Sequence, residues 1–386
     1  MEDGTLKEII KWIASNKEWL FSGLGLAIVG GIIKLFFFKN KPAHIGIDEK
    51  RAREINAESL AIAKKDFSYE AEQKVVERVQ KLEDRVMPRL YRIEGALQNF
   101  ADPSFQNFLF KMNKAAACTD RESDYDLLSE LLIHRIEKKD SRKDQIGLNK
   151  AVEIVDQITD EALDGLTVFF AIEHYNPIAD TLEFGLSILD NLYKKMPLSK
   201  LPTDNRWLEE LDILDAVRLS SLEKLKKLEE YWAEKYSGFI AAGIKKEGNN
   251  WSEVTDMLEK CGLSQSSLVD NVLLNEYALL PVIQEQNIDH LSQNLISVVD
   301  GSVTQIPITE DQKQTLHKIY SMYDKSGDLQ NKVKDAFIKK LDSYESIKTV
   351  RTWWNSIPQA INVTSVGRVL AHVNAKRCDP SLPDLN

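Results

Sequence analysis

The sequence predicts a mainly α-helical protein: an N-terminal transmembrane helix, a helical stalk, and a cytoplasmic α-helical body with a small winged-helix-like hairpin near the C-terminus. Three observations predict it. Residues Trp19 to Phe38 form an apolar run broken only by Ser22 and Lys34, and Val75 to Leu97 carry aliphatic residues spaced by threes and fours. Strand signals, the third observation, occur only around Asp300-Gly301.

At about 1.5 Å per residue, a helix over 19–38 matches a hydrocarbon core of about 30 Å. Lys34 lies close enough to one end to snorkel its ammonium to the interface. The run ends in Leu35 to Phe38 and then Lys39 and Lys41, with no signal-peptide cleavage site in view. Its other reading, a buried core helix, fits poorly because core helices of this length usually keep a polar face. Basic residues crowd the C-terminal flank (Lys34, Lys39, Lys41, Lys50, Arg51, Arg53), whereas Lys7, Lys11 and Lys17 are mixed with acids on the other side. The positive-inside bias therefore predicts a single-pass protein with residues 39–386 in the cytoplasm. Within residues 1–18, Leu6, Ile9, Ile10 and Ile13 recur at helical spacing beside Trp12, as in an amphipathic helix lying on lipid.

Gly23, Ala27 and Gly31 share one face of the membrane helix and would let a second helix approach closely, although glycine is also simply common in such helices. This face is the first candidate for homo-oligomer contact.

Composition is that of a folded protein, 43% hydrophobic and 28% charged. A net charge of -10 argues against sequence-independent nucleic-acid binding, which needs cationic surface. Cys118, Cys261 and Cys378 are far apart, show no zinc spacing, and read as free thiols.

Residues 44–100 are read as the stalk. Val75, Val79, Leu82, Val86, Leu90, Ile93 and Leu97 make a helical stripe suited to self-association, with Pro88 kinking or restarting it. Residues 101–219 form a helical domain, with helices expected over 103–118, 124–139, 148–158, 160–175 and 177–196 and an Asn176-Pro177 start signal for the last. Residues 220–386 form a second helical domain. Ser220 and Glu223 read as a capping box before Leu222, Leu225, Leu228, Trp232 and Tyr236.

Within that domain, 251–323 reads as helix, turn, helix, hairpin. Helices are expected over 252–262 and 266–280, then strands Leu295–Val299 and Ser302–Ile308 around Asp-Gly, then a helix capped by Thr309 and Gln312. The helix that would enter a DNA groove, 266–280, contains Asp270 and Glu276 and no basic residue, so a protein-interaction or structural role is favoured over DNA reading.

No catalytic motif is present. The six histidines fall in no metal-binding spacing, and no cofactor is implied. Glu173 and His174 at the end of LTVFFAI, with Asp180 beyond Pro177, form the most suggestive cluster for acid–base or metal chemistry, but a capped helix corner uses the same residues. Glu137 and Lys139 in HRIEKKDSRK match an ExK fragment of some nucleases; a solvated helix end, or a patch meeting anionic lipid, uses them too. Trp353-Trp354 reads as packing.

The segments SNKEWLFSGLGLAIVGG, DPSFQNFLFKMNKAAACTDRESDYDLLSELL and INVTSVGRVLAHVNAKR resemble an uncharacterised family of bacterial single-pass membrane proteins. In layout the chain is also distantly similar to the abortive-infection alpha proteins of phage defence. These have a helical body and a winged-helix-like end closing in a pattern resembling Val363 to Gly367. WLFSGLG before a glycine-rich span resembles anchors of varied bacterial defence proteins. The resemblance implies a setting and carries over no active-site residue.

Two readings follow. One is a membrane-anchored cytoplasmic sensor, effector or interaction protein in antiviral defence, meeting a protein partner and acting through oligomerisation at the inner membrane. The alternative is a membrane-tethered metal-dependent hydrolase or nuclease whose site is assembled from distant residues.

Overall fold

The computed structural model describes residues 49–137, 142–220, 222–296 and 303–385. The interfacial segment 1–18, the proposed span 19–38 and its Gly23, Ala27 and Gly31 lie outside them, as do Lys139 and the Asp300-Gly301 turn. Among the described residues, no helix is long and apolar enough to cross a membrane.

The protein is mainly helical. In chain order the first helices are α1 (Glu49–Leu90), α2 (Pro103–Cys118), α3 (Glu122–Glu137), α4 (Arg142–Ile154), α5 (Asp160–His174), α6 (Leu182–Lys195) and α7 (Arg206–Ile213). Then come β1 (Val217–Leu219), α8 (Leu228–Lys235), β2 (Ile244–Lys245), α9 (Trp251–Lys260), β3 (Val269–Asp270), β4 (Tyr277–Leu279), β5 (Ser292–Ile296) and β6 (Val303–Pro307). Helices α10 (Glu310–Ser321), α11 (Gly327–Asp342) and α12 (Glu345–Trp354), strand β7 (Ile361–Val363) and helix α13 (Ser365–Cys378) complete the chain. The three cysteines are free thiols, as their spacing predicts.

The chain divides into two units, and not at a single point. One comprises residues up to Thr167, Arg206–Arg218 and Val363 onward; the other comprises Val168–Asn205 and Leu219–Asn362. The linear cut at 219/220 is thereby corrected. The C-terminal helix α13 packs on α3 and α4 of the first unit, a pairing that spans too much sequence for local patterning to reveal.

In the first unit, the α1 stripe is buried within its own chain. Val79, Leu82, Val86 and Leu90 are each at most 5% exposed, and α1 packs on both α2 and α3. Val75 and Ile93 are partly buried and line the same side. A helix this long and charged needs a partner for its apolar stripe; here that partner is the helical body, so the described part of the stripe is no open seam for a second copy. This corrects the stalk expectation. The helix also runs through Pro88 to Leu90, since a proline this near the C-terminus removes little from the hydrogen-bond ladder. A ladder of ions reinforces the packing: Lys81 reaches Glu122 at 3.0 Å, Arg85 reaches Asp126 at 2.6 Å, and Arg89 reaches Glu130 at 2.6 Å.

The terminal Val363 to Gly367 pattern has a packing explanation. Thr364 caps α13 by accepting from Gly367 N at 3.2 Å, and its hydroxyl donates to Asp215 O at 2.6 Å. Thr364 N donates to Ala216 O at 3.0 Å. A Cβ on Gly367 would lie 2.0 Å from Ala216 O, so only glycine permits this approach.

In the second unit, Trp353 and Trp354 are packing residues, as expected. Trp354 stacks on Phe169 with centroids 4.7 Å apart and donates to Lys226 O at 2.9 Å, while Trp353 donates to Pro202 O at 3.1 Å. A second cluster surrounds Ile244, Leu258, Leu280, Ile288, Leu316 and Ile319.

Several expected elements differ here. The helix placed over 266–280 does not form; β3 and β4 occupy it and pair antiparallel in the sheet β2-β4-β3. Buried Asn271 accounts for the break. Its Oδ1 accepts from Leu273 N at 2.8 Å and Leu274 N at 3.3 Å, and its Nδ2 donates to Ala241 O and Ala242 O, closing an Asx turn that diverts the chain from a helix. A hairpin is present as β5 and β6, in antiparallel register from Ser292 opposite Pro307 to Ile296 opposite Val303, so its first strand begins three residues before the expected Leu295 and the register is shifted from that of a two-residue Asp300-Gly301 turn. The Thr309–Gln312 capping box is also present. Residues 222–227 are not helical, because Ser220 N donates to Ala360 O and Ala360 N donates to Glu223 O, holding the segment extended. Helix α8 therefore starts at Leu228, whose N–H donates to Asn355 Oδ1 at 2.9 Å. Helix α6 starts after Thr181, which accepts from Phe184 N, and not at Asn176-Pro177; Asn176 Oδ1 instead accepts from the Tyr236 hydroxyl at 3.1 Å.

Candidate functional site

Helix α8, LEEYWAEK, has two working faces, because residues four apart share a side. Glu230, Ala233 and Glu234 face a cleft; Tyr231 and Lys235 face away from it.

The cleft encloses about 420 Å³ and is closed by the segment Ile240–Ala242, the end of α10 and one face of α11. Its inner wall is apolar and aromatic: Tyr320 and Tyr323 lie 4.7 Å apart between ring centroids, with Val333 and Phe337 opposite. Tyr323 is locked in place because its hydroxyl accepts from Leu280 N at 2.6 Å, and burial raises its phenol far above the ordinary range. Desolvation raises Tyr320 in the same direction. Both phenols are therefore neutral at physiological pH.

The rim is charged. Glu230 meets Lys334 at 3.6 Å, a loose contact between α8 and α11. Glu234 is held by Lys226 at 2.7 Å, and buried Glu229 accepts from Asn355 Nδ2 at 2.9 Å and sits 3.7 Å from Arg351. Arg351 is committed first to Asp342, at 2.6 and 2.9 Å. Asp324 accepts from Ser326 N at 2.9 Å, which holds its carboxyl below the usual range and so keeps it ionised. Asp324 N in turn donates to Gly243 O at 3.1 Å. Gly243 has φ 82°, and a Cβ there would lie 2.2 Å from Ala278 O.

On the opposite face, Lys235 donates to Glu173 O at 2.8 Å and to Tyr231 Oη at 2.9 Å, with its ammonium 4.9 Å from the Tyr231 ring centroid. Burial pushes the amine down to about 8, partly opposed by the Glu173 charge. The carbonyl it meets belongs to the last turn of α5, where a cation is electrostatically favoured. Tyr193 lies fully buried in the same unit, and its hydroxyl has no hydrogen-bond partner.

Glu173 accepts from Lys235 Nζ through its backbone carbonyl at 2.8 Å and its charge acts on the same amine, and His174 is exposed, stacked on Phe170 at 4.1 Å with Nδ1 3.2 Å from Phe170 O. Asp180 is exposed on the loop before α6. Among the described residues, no group of His, Cys, Asp and Glu has the arrangement to hold a metal ion. His134 is buried on α3, 5.7 Å from the His372 ring, so the basic start of HRIEKKDSRK belongs largely to the core of the first unit.

The cleft was not read from sequence, because its walls come from 229–242, 320–325 and 330–337.

One protein-family model, described as ":-like", matches residues 46–385. The chain belongs to that family. The match covers both units and the whole cleft. No curated protein matches the chain. No solved structure matches it either.

Proposed function

We propose that this chain is a membrane-anchored sensor or interaction protein of the bacterial inner membrane. Residues 19–38 span the bilayer, and the helical body lies in the cytoplasm. The second unit captures a ligand or partner in the cleft between α8, the end of α10 and α11. The setting is antiviral defence of the abortive-infection type, and the response runs through self-association of the anchors at Gly23, Ala27 and Gly31.

The observation that carries this reading is the cleft itself: about 420 Å³, aromatic within and charged at the rim, which is the build of a ligand site. The anchor rests on the length of the apolar run and its charge asymmetry. Because α1 spends its stripe on α2 and α3, self-association is assigned to the membrane helix and not to the stalk. The alternative of a metal-dependent hydrolase or nuclease is less favoured, since among the described residues no group of His, Cys, Asp and Glu is arranged to hold a metal ion.

The test combines localisation with loss of the cleft. A reporter fused after Asn386 is expected to be active in the cytoplasm of cells whose membrane fraction holds the protein. Ala233→Trp fills the cleft, and cells carrying this variant, inserted at parental level, are expected to lose protection in a phage challenge. Periplasmic reporter activity overturns the topology. Full protection by the filled variant overturns the cleft as the working site.

A further inference from the structure

Resting on the cleft reading above, we propose that its ligand is an organic monocation, a guanidinium or alkylammonium group carried on an apolar stem. The cleft has the two parts such a ligand needs. The stem fits against the apolar wall of Tyr320, Tyr323, Val333 and Phe337, of which Tyr320 keeps the most exposed surface. The charge fits at the rim.

The sign of that charge follows from the rim's own pairing. Carboxylates Glu229, Glu230, Glu234 and Asp324 line the cleft against only Lys325 and Lys334. Including the groups paired to them from outside, Lys226 and Arg351 with Asp342, one carboxylate remains in excess. Glu229 and Glu234 are held by well-placed donors, so Glu230 and Asp324 are the groups that answer a ligand. Glu230 has only the 3.6 Å contact with Lys334, an exposed pair that an incoming cation can share or displace at small cost. An anionic ligand would meet the excess carboxylate, and a neutral one would leave it uncompensated.

Such a cation can come as a free small molecule or as one arginine or lysine side chain of a protein. Calorimetric titration of the full-length, detergent-solubilised protein separates these sources. The probes are n-butylguanidinium, its neutral isostere n-butylurea, and the peptide acetyl-Ala-Ala-Arg-Ala-Ala-amide. Butylguanidinium is expected to bind at least about tenfold more tightly than butylurea, with affinity falling about tenfold in Asp324→Asn and in Glu230→Gln. Asn at 324 keeps the oxygen that accepts from Ser326 N, so the loop is retained, and circular dichroism of both variants checks folding. A peptide that outbinds the free cation identifies a protein side chain as the source; equal or weaker peptide binding identifies a free molecule. Equal binding of butylguanidinium and butylurea, or an unchanged affinity in both folded variants, overturns the assignment. If that occurs while Ala233→Trp still abolishes protection, the cleft stands as the site and only its ligand class falls.

Discussion

Arg89 grips Glu130 with two parallel hydrogen bonds, Nη1 to Oε1 at 2.6 Å and Nη2 to Oε2 at 2.9 Å. It is the last rung of a ladder in which Lys81, Arg85 and Arg89 on α1 meet Glu122, Asp126 and Glu130 on α3 at matched spacings of four. Because both sides repeat every four residues, a slip of one turn would re-pair Arg85 with Glu122, which it already reaches, and Arg89 with Asp126, so the register is set by the entry of Leu82, Val86 and Leu90 into the core and not by the ladder. The rungs themselves are partly solvated, and each contributes little beside the apolar stripe.

Leu82→Ala is accordingly expected to destabilise the protein by about 3 kcal/mol through lost transfer energy and an unfilled cavity. Arg89→Ala is expected to cost about 1 kcal/mol or less. Urea unfolding followed by circular dichroism gives both values. A Leu82→Ala cost no larger than that of Arg89→Ala would place the stripe outside the core.

At the other end of the first unit, Gly367→Ala should harm the fold more than Thr364→Ala. Loss of the Thr364 cap costs about 1 kcal/mol. A Cβ at 367 would press to 2.0 Å from Ala216 O, so the backbone must part there. Thermal unfolding of the two variants side by side is the check, with the lower midpoint expected for Gly367→Ala.

His317 on α10 sits between Glu285, at 3.3 Å, and Asp289, at 3.2 Å. Hydrogen bonding to Asp289 is the main cause raising its pKa above the ordinary value of 6.5. A group raised in the folded state stabilises fully below its unfolded pKa and loses that contribution as pH rises through the folded value. The melting temperature of the parent should therefore exceed that of His317→Gln most at pH 6 and approach it above neutrality. Because the pair is exposed, high salt should shrink the difference. A gap that widens with pH would contradict the assignment.

Lys235 carries the opposite sign. Its folded pKa, near 8, lies below its ordinary value of 10.5, so between these values the unfolded chain binds more protons than the folded one. Stability of the parent relative to Lys235→Met should then rise from pH 8 toward pH 10. Titration of the amine by NMR after reductive methylation with ¹³C should give a midpoint near 8 that is absent in Lys235→Met; a midpoint above 10 would show the amine to be solvated.

What the sequence conveyed was what neighbouring residues decide. Helix α2, with Asp102 accepting from Phe105 N ahead of Pro103, and helix α10, with Thr309 and Gln312 capping each other, were legible because cap and helix lie within a few residues. That β5 and β6 form a hairpin was legible from Asp-Gly between two β-branched runs, whereas their register was not. The losses share one cause. Asn271 breaks an expected helix by reaching Ala241 and Ala242, Ala360 keeps 220–223 extended, and Asn355 decides where α8 begins. Each partner lies tens of residues or more away, beyond any local pattern. The α1 stripe was read correctly as wanting a partner and wrongly as wanting a second copy, since spacing tells that a face is covered and not by what. For the candidate site, α8 was legible only as an amphipathic helix through Leu228 and Trp232, and neither its Glu230 and Glu234 as cleft residues nor the Tyr320–Tyr323 wall was read.

The return of the last residues to the first unit has a consequence for synthesis. Helix α13 brings Val366, Val369, Leu370 and Val373 into a core begun by α1 to α4. At about 5–20 residues per second, the ribosome needs on the order of ten seconds or more between completing α4 and releasing α13. Throughout that interval the growing chain carries an unfilled apolar groove, available to chaperones and to the same groove on neighbouring nascent chains, and a truncation anywhere before residue 363 would leave it open for good.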